Sequence, residues 1–246
     1  MLTRDSWEVY NYIVDDPWAN LSVPRNQGRE AMAYLTFIID HYESLPDYMV
    51  FAHGHENAWH QPEPLPMILR ALSLPVLDLR GWASLRCTLQ NTCEEGKSIK
   101  PHVPNFAFPF IIAKLHSFVY QAQHPWYEAL PEELAAPCCG QFAATSKQTR
   151  TKPLAFWQRL RLPLLRDLED IHDWDFEKDH TEFSWRLGGS FEVAWHWFFG
   201  AESRTCLDTS YCRKELFRDK IHCDGKTWDW YSVQTYKNIT CTLDPD

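Results

Sequence analysis

The sequence predicts an α/β fold, a single domain with a mixed, mostly parallel sheet flanked by helices. Three observations carry this expectation. Between Glu30 and Tyr42 the apolar residues Met32, Leu35, Ile38, Ile39 and Tyr42 recur at helical spacing. The run "YMVFA" follows at once, short, apolar and bounded by turn signals, as a buried strand should be. Helix followed by buried strand is half of a βαβ unit, which implies parallel pairing with helices on the sheet faces. The 246 residues and 45% hydrophobic content suit one packed core.

The elements follow in chain order. "YNYIVDD" reads as an opening strand, and "DDPWANLSVPRNQG" as a loop broken by Pro17, Pro24 and Gly28. The helix from Glu30 carries Ala31, Tyr34 and Phe37 on its flanks, so it is buried on most sides, and "SLPD" stops it. After the Pro-rich connection "QPEPLP" come a short helix, "MILRALSL", and an irregular region to about Pro109. "FPFIIAKLHSFVYQAQ" is expected to be helical, and "CCGQFAAT" a buried strand with Gly140 at a close approach. "KPLAFWQRLRLPLLRDLEDI" is expected as a helix kinked at Pro163. "GGSFEVAWHWFFG" reads as a short aromatic helix between glycines. No repeat or linker divides residues 1–246, with a core at about 23–200 and an irregular Cys-containing cap at 201–246.

Composition narrows the function. A net charge of −9 provides no global basic field for nucleic acid, so DNA is not an expected partner. No apolar run approaches the roughly 20 residues of a membrane span. The opening "MLTRDSWEVYNYIVDD" lacks a signal-peptide core, so a soluble, cytoplasmic protein without membrane contact is expected. Eight cysteines, with "CTLQNTC" and "CLDTSYC" spaced as short disulfide loops, and the sequon at Asn238 would suit a secreted chain. In a cytoplasmic protein the same cysteines are expected as reduced thiols. No CxxC pair supports zinc, and no metal or cofactor is expected. Twelve Trp and ten Tyr suit either dense packing or an aromatic cleft.

Several residues could carry chemistry. His53 and His55, with Glu56, lie just past the end of the first buried strand, where open α/β sheets place ligands. An H-x-H pair puts both rings on one face; it suits general acid–base work, a metal, or a hydrogen-bonding hub. Asn26 to Arg29 precede the first long helix, whose N-terminus would suit an anion held with Arg25 and Arg29, or plain capping by Asn26. Glu30 in the first turn can answer the helix dipole or face the cleft. Glu192 and His196 are one helical turn apart among aromatics, as a structural pair or as a seat for a ligand cation. Lys147, Arg150, Lys152, Arg159, Arg161 and Arg166 fall in a stretch, Gln141 to Arg166, without acids. They suit RNA phosphates or a nucleotide diphosphate, or form a solvated face balanced by "DLEDIHDWDFEKD". Cys138, Cys139 and Ser146 are possible nucleophiles, although a buried strand favours inert thiols. No P-loop, G-x-S-x-G, H-E-x-x-H or G-x-G-x-x-G motif is present.

The blocks "VPRNQGREAMAYLTFIIDHYESLPDYMVFAHGHENAWH", "LRGWASLRC", "LPEELAAPCCGQFAATSKQTRTKPLAFWQRL" and "FEVAWHWFFG" together resemble a large fungal family catalogued as a domain of unknown function, over most of Val23 to Gly200. The soluble branch looks like the fungal arginine-containing cyclodipeptide synthases. That resemblance implies condensation of arginine with a second amino acid to a diketopiperazine, with arginyl-tRNA and a second aminoacyl-tRNA as activated partners. An activated ester removes the need for ATP, in agreement with the missing P-loop. Catalysis would then fall to His53, His55, Glu192 and His196. The substrates would meet Asn26, Arg29, Glu30, Trp59, Gln141 and Trp195, and the tRNA would meet Lys147, Arg150, Lys152, Arg159 and Arg161. The strand–helix–strand layout also looks Rossmann-like, or like glycosyltransferases of the A-type fold, which makes a metal-dependent glycosyltransferase the alternative enzyme. A non-catalytic binding protein of a biosynthetic complex is a third expectation.

Overall fold

A computed structural model describes residues 7–54, 63–87, 91–103, 107–166, 180–223 and 240–245. The central sheet has three strands, β1 (Tyr48–Phe51), β2 (Trp82–Ser84) and β3 (Phe142–Thr145). They are ordered β1-β3-β2. β3 runs antiparallel to both neighbours, with Tyr48 opposite Thr145 and Trp82 opposite Ala144. The expected mostly parallel, Rossmann-like sheet is therefore not present. Its premise was a strand before the first helix. "YNYIVDD" makes only a single bridge, Ile13 to Ser22, and joins no sheet among the described residues, so no βαβ unit closes.

Nine helices surround the sheet among the described residues. They are α1 (Glu30–Asp40), α2 (Leu65–Ala71), α3 (Leu74–Arg80), α4 (Ala107–Val119), α5 (Ser146–Thr149), α6 (Leu154–Leu165), α7 (His180–Glu192), α8 (Trp195–Phe198) and α9 (Thr209–Phe217). Strand alternation divides the interior into two apolar clusters. Phe142 and Ala144 of β3 face a large one with α1, α4, α6, α7 and α8. Ala143 faces a smaller one with α2, α3 and α9. Small side chains at Ala143 and Ala144 let both layers approach the middle strand. α1 is buried nearly all round and packs along α6, as its apolar flanks predicted. Pro163 lies inside α6, but the helix stops two residues later rather than continuing through a kink.

"GGSFEVAWHWFFG" is not one helix. α7 ends at Glu192, Val193 and Ala194 interrupt, and α8 begins at Trp195. The tail is also more ordered than an irregular cap. It holds α9, capped by Asp208, and a hairpin of β4 (Ile221–Cys223) with β5 (Cys241–Leu243).

All eight cysteines are paired, which corrects the expectation of reduced thiols. The two short-spaced pairs do not close loops on themselves. Cys87 joins Cys212 and Cys93 joins Cys206, lacing the segment after β2 to the segment leading into α9. Cys138 and Cys139 bond each other, and Cys223–Cys241 closes the hairpin. No helix among the described residues is long and apolar enough to cross a membrane.

Candidate active site

The N-terminus of α1 is unusual. Asn26 is exposed and does not cap it; the cap position is Arg29, without a side-chain cap. Gly28 and Arg29 both have positive φ, 72° and 57°. For Arg29, with ψ −134°, this is backbone territory that favours glycine, and such strain concentrates at functional sites. The expected anion seat is not available in the form proposed, because the Gly28 N–H already donates to Ser184 Oγ at 2.9 Å. Arg25 donates to the Leu165 carbonyl. The turn instead aims Arg29 at α7. Its Nη1 lies 3.4 Å from Glu192 Oε1, and its guanidinium stands 5.5 Å from the Trp185 ring centroid. Gly188 makes room, since a methyl there would come within 3.0 Å of the Arg29 side chain.

Glu30 projects from the first turn of α1 towards the same place. Gly140, at φ 63°, passes directly over it: an added methyl would stand 2.8 Å from Glu30 Oε1 and 3.3 Å from Glu192 Cγ. Two carboxylates thus share a space roofed by one glycine. Glu30 Oε1 is buried and has no hydrogen-bond partner. Burial, then the charge of Glu192, pushes the Glu30 carboxyl up to about 8, against smaller opposing effects of its own backbone N–H and Arg29. Burial also raises Glu192, and Arg29 opposes that rise.

Aromatic side chains wall the pair. Tyr34, one turn along α1 from Glu30, and Trp195 lie 5.9 Å apart by ring centroids, with Phe142 and Phe191 against Trp195. Tyr34 Oη and Trp195 Nε1 are both buried without a partner. Burial, with the nearby Glu30 and Glu192 charges, holds the Tyr34 phenol far above its usual range. Three polar atoms on adjoining side chains, Glu30 Oε1, Tyr34 Oη and Trp195 Nε1, thus lack protein partners. Buried polar groups are normally satisfied, so such a cluster marks a place for a ligand or ordered water.

The remaining expected residues separate. His196 does not pair with Glu192, because the break at Val193–Ala194 turns α8 away. Its Nε2–H donates to the Ser203 carbonyl at 2.9 Å, and burial lowers its pKa to about 4. That bond fixes the ring against the segment after α8, and its Nδ1 is buried without a hydrogen-bond partner. Gln141 is buried and its Oε1 accepts the His53 N–H at 3.2 Å, so it anchors the end of β1. His55 and Trp59 lie outside the described residues, so the H-x-H arrangement has no geometry here. Among the described residues no three His, Cys, Asp or Glu side chains gather as metal ligands.

The basic stretch is not one free face. Lys147 and Arg150 are exposed, Arg150 donating to the Tyr42 carbonyl. Lys152 pairs with Glu128 at 2.8 Å. Arg159 donates to the Phe118 carbonyl and lies over its ring, and Arg161 donates to Thr36 Oγ1. The last two act as struts between α6 and its neighbours, because a helix packed on two others turns its long side chains onto their carbonyls and hydroxyls. Sequence reasoning missed Tyr34 as part of the site, although its position four residues from Glu30 was an available signal; the expected close approach at Gly140 is present, and the group approached is Glu30.

No curated protein and no solved structure matches the chain. A family model described as "Protein of unknown function (DUF3431)" matches residues 2–215, nearly everything before the β4–β5 hairpin. The chain belongs to this family of proteins of unknown function.

Proposed function

We propose that the protein is an acid–base enzyme working through Glu30 and Glu192, and that it is an aminoacyl-tRNA-dependent cyclodipeptide synthase joining arginine to a second amino acid. The observation that carries this reading is the buried, unpartnered Glu30 Oε1 beside a second carboxylate. Peptide formation from an aminoacyl ester needs a base for the attacking ammonium. A carboxylate held near 8 is matched to that proton transfer at neutral pH. The amine nitrogen bonds to the ester carbonyl carbon, its proton passes to Glu30 and on to the departing ester oxygen, which leaves as the tRNA hydroxyl, and the same exchange at the second ester closes the ring. Tyr34 Oη and Trp195 Nε1 are donors suited to the carbonyl oxygen as it gains charge. Arg29 opposes the burial that raises the Glu192 carboxyl, and the aromatic walls exclude water. The resemblance supplies the substrates, and the cytoplasm is where charged tRNA would meet the enzyme.

The test supplies purified protein with arginyl-tRNA and a second aminoacyl-tRNA, and reads diketopiperazines by mass spectrometry. Product should appear, vanish after ribonuclease treatment, and fall about 100-fold or more in Glu30→Gln. Product formed equally from free amino acids and ATP would sink the tRNA reading.

The disulfides favour a second reading, glycosyl transfer in an oxidising compartment. Four disulfides persist there more readily than in a reducing cytoplasm, and paired carboxylates also serve glycosyl chemistry. The antiparallel sheet removes the fold argument for this alternative. Sugar transfer from a sugar nucleotide, lost in Glu30→Gln and indifferent to tRNA, would select it.

A further inference from the structure

Beside β2 the chain forms a half-open pocket of about 350 Å³, lined in part by Trp82, Ala83 and Ser84. Its lining is rich in cations. Arg80 ends α3, Arg86 follows β2, and Arg204 precedes α9; Trp82, Thr205 and Glu202 complete the polar and aromatic part of the wall. Glu202 is the acid of the lining. Arg204 also has an exposed pairing with Glu133 at 3.4 Å and reaches the Cys93 carbonyl. Arg80 makes no ion pair among the described residues and lies 5.8 Å from the Tyr211 ring centroid. Arg86 is 2% exposed and donates to the Cys138 and Cys139 sulfurs at 2.5 and 3.1 Å. Two more lining residues carry buried donors with no hydrogen-bond partner, Trp82 Nε1 and Thr205 Oγ1.

We propose that this cavity binds the oxyanion of a small molecule, a carboxylate or a phosphate. Three arginines line this one pocket, and the guanidinium is the side chain that recognises a planar or tetrahedral anion in fork geometry. The volume lies at the low end of the roughly 300–1,000 Å³ typical of small-molecule sites, so the occupant is metabolite-sized rather than a polymer. The wall is also held in advance. Cys87–Cys212 and Cys93–Cys206 tie the segment of Arg86 to the segment of Arg204, which reduces the ordering cost of binding. None of this depends on Glu30 or Glu192, neither of which lines the cavity.

The experiment titrates the oxidised full chain with inorganic phosphate and, separately, succinate, by calorimetry at constant ionic strength in chloride. Saturable binding of one site per chain is expected, and the tighter anion identifies the headgroup. Arg80→Gln/Arg204→Gln removes two partly exposed guanidiniums, keeps buried Arg86 in place, and should weaken binding about tenfold or more. Glu30→Gln should bind as the wild type does. Failure of both anions to saturate overturns the proposal, as does unchanged affinity in the double arginine variant or loss of binding in Glu30→Gln.

Discussion

Arg29 Nη1 lies 3.4 Å from Glu192 Oε1, while the neighbouring carboxylate, Glu30, has an oxygen with no partner at all. The asymmetry divides the labour of the pair. A guanidinium beside Glu192 favours its charged form, and that charge in turn favours the protonated form of Glu30. Burial raises both carboxyls, and Arg29 opposes the rise by charge and hydrogen bond at Glu192 but by charge alone at Glu30; unequal environments of this kind are the mark of an acid–base pair.

Arg29→Gln should therefore shift the pH dependence of turnover rather than abolish it. Without the guanidinium, Glu192 holds its proton to higher pH, so the acid limb of the profile moves upward. Rate measurements across pH 5 to 9 in wild type and variant check this. An unmoved acid limb with a uniform loss of rate would assign Arg29 to substrate contact instead.

Gly140→Ala tests the roof of the site. The position has φ 63°, and its new methyl would press on Glu30 Oε1 at 2.8 Å. Gly96 is the control, because it has φ 74° and open space around it. Both substitutions incur the left-handed backbone cost of about 1–2 kcal/mol. Gly140→Ala should lose more stability than Gly96→Ala and should also lose activity, whereas Gly96→Ala should keep it. Equal thermal shifts with full activity in both would show that the close approach is unimportant.

Much of this was legible in the sequence. The spacing of Met32, Leu35 and Ile38 identified α1, and short apolar runs identified β1 and β3. Strand direction was not legible, because a buried run reads alike in parallel and antiparallel sheets. Glu192 stood out as a carboxylate among aromatic neighbours, and Glu30 by its place in the first turn of α1. Pairing Glu192 with His196 failed because helical spacing carries no information about an interruption at Val193–Ala194. The nested linkage of Cys87–Cys212 and Cys93–Cys206 was equally out of reach, since connectivity depends on which distant segments pack together.

Those two disulfides make a non-additive stability pattern. They span 125 and 113 residues but tie the same two segments. With either in place, the long loop stays closed, and the other closes only a short one. Removing Cys87–Cys212 or Cys93–Cys206 alone should cost little, whereas removing both should cost about 2–5 kcal/mol. Urea unfolding of the two paired Cys→Ala variants and their combination measures this. Equal, additive losses would show that each crosslink acts alone.

Arg159 and Arg161 should behave as structural residues. Each has its guanidinium on an acceptor of a neighbouring helix, the Phe118 carbonyl or Thr36 Oγ1. Reversal to Glu leaves those acceptors facing a carboxylate and should lower the melting temperature. Lys147→Glu, at an exposed position, should leave it unchanged and is the cleaner test of tRNA contact. If Lys147→Glu flattens the salt dependence of tRNA binding, the exposed end of the stretch carries the contact. A melting temperature unaffected by Arg159→Glu and Arg161→Glu would remove the strut assignment.

Glu30 and His196 should set opposite limits on stability with pH. Glu30 is raised in the folded chain from 4.5 to about 8, so the folded state holds a proton that the unfolded state has released. Its contribution is complete below about 4.5 and is lost as pH rises through 8. His196 is lowered from 6.5 to about 4, so between those values the unfolded state takes up a proton that the folded state refuses. Its contribution is complete above about 6.5 and is lost as pH falls through 4. Each slope is at most about 1.4 kcal/mol per pH unit. From 4.5 to 6.5 the two oppose each other, and above 6.5 Glu30 acts without that opposition. Glu30→Gln should therefore flatten the decline from pH 6.5 to 8. His196→Gln, which keeps a donor for the Ser203 carbonyl, should gain stability relative to wild type as pH falls from 6.5 to 4. Urea midpoints at half-unit pH intervals separate the two limbs. If Glu30→Gln follows the wild-type curve through pH 8, the carboxyl of Glu30 is already ionised in the folded protein, and the raised proton affinity that matches it to the amine falls with it.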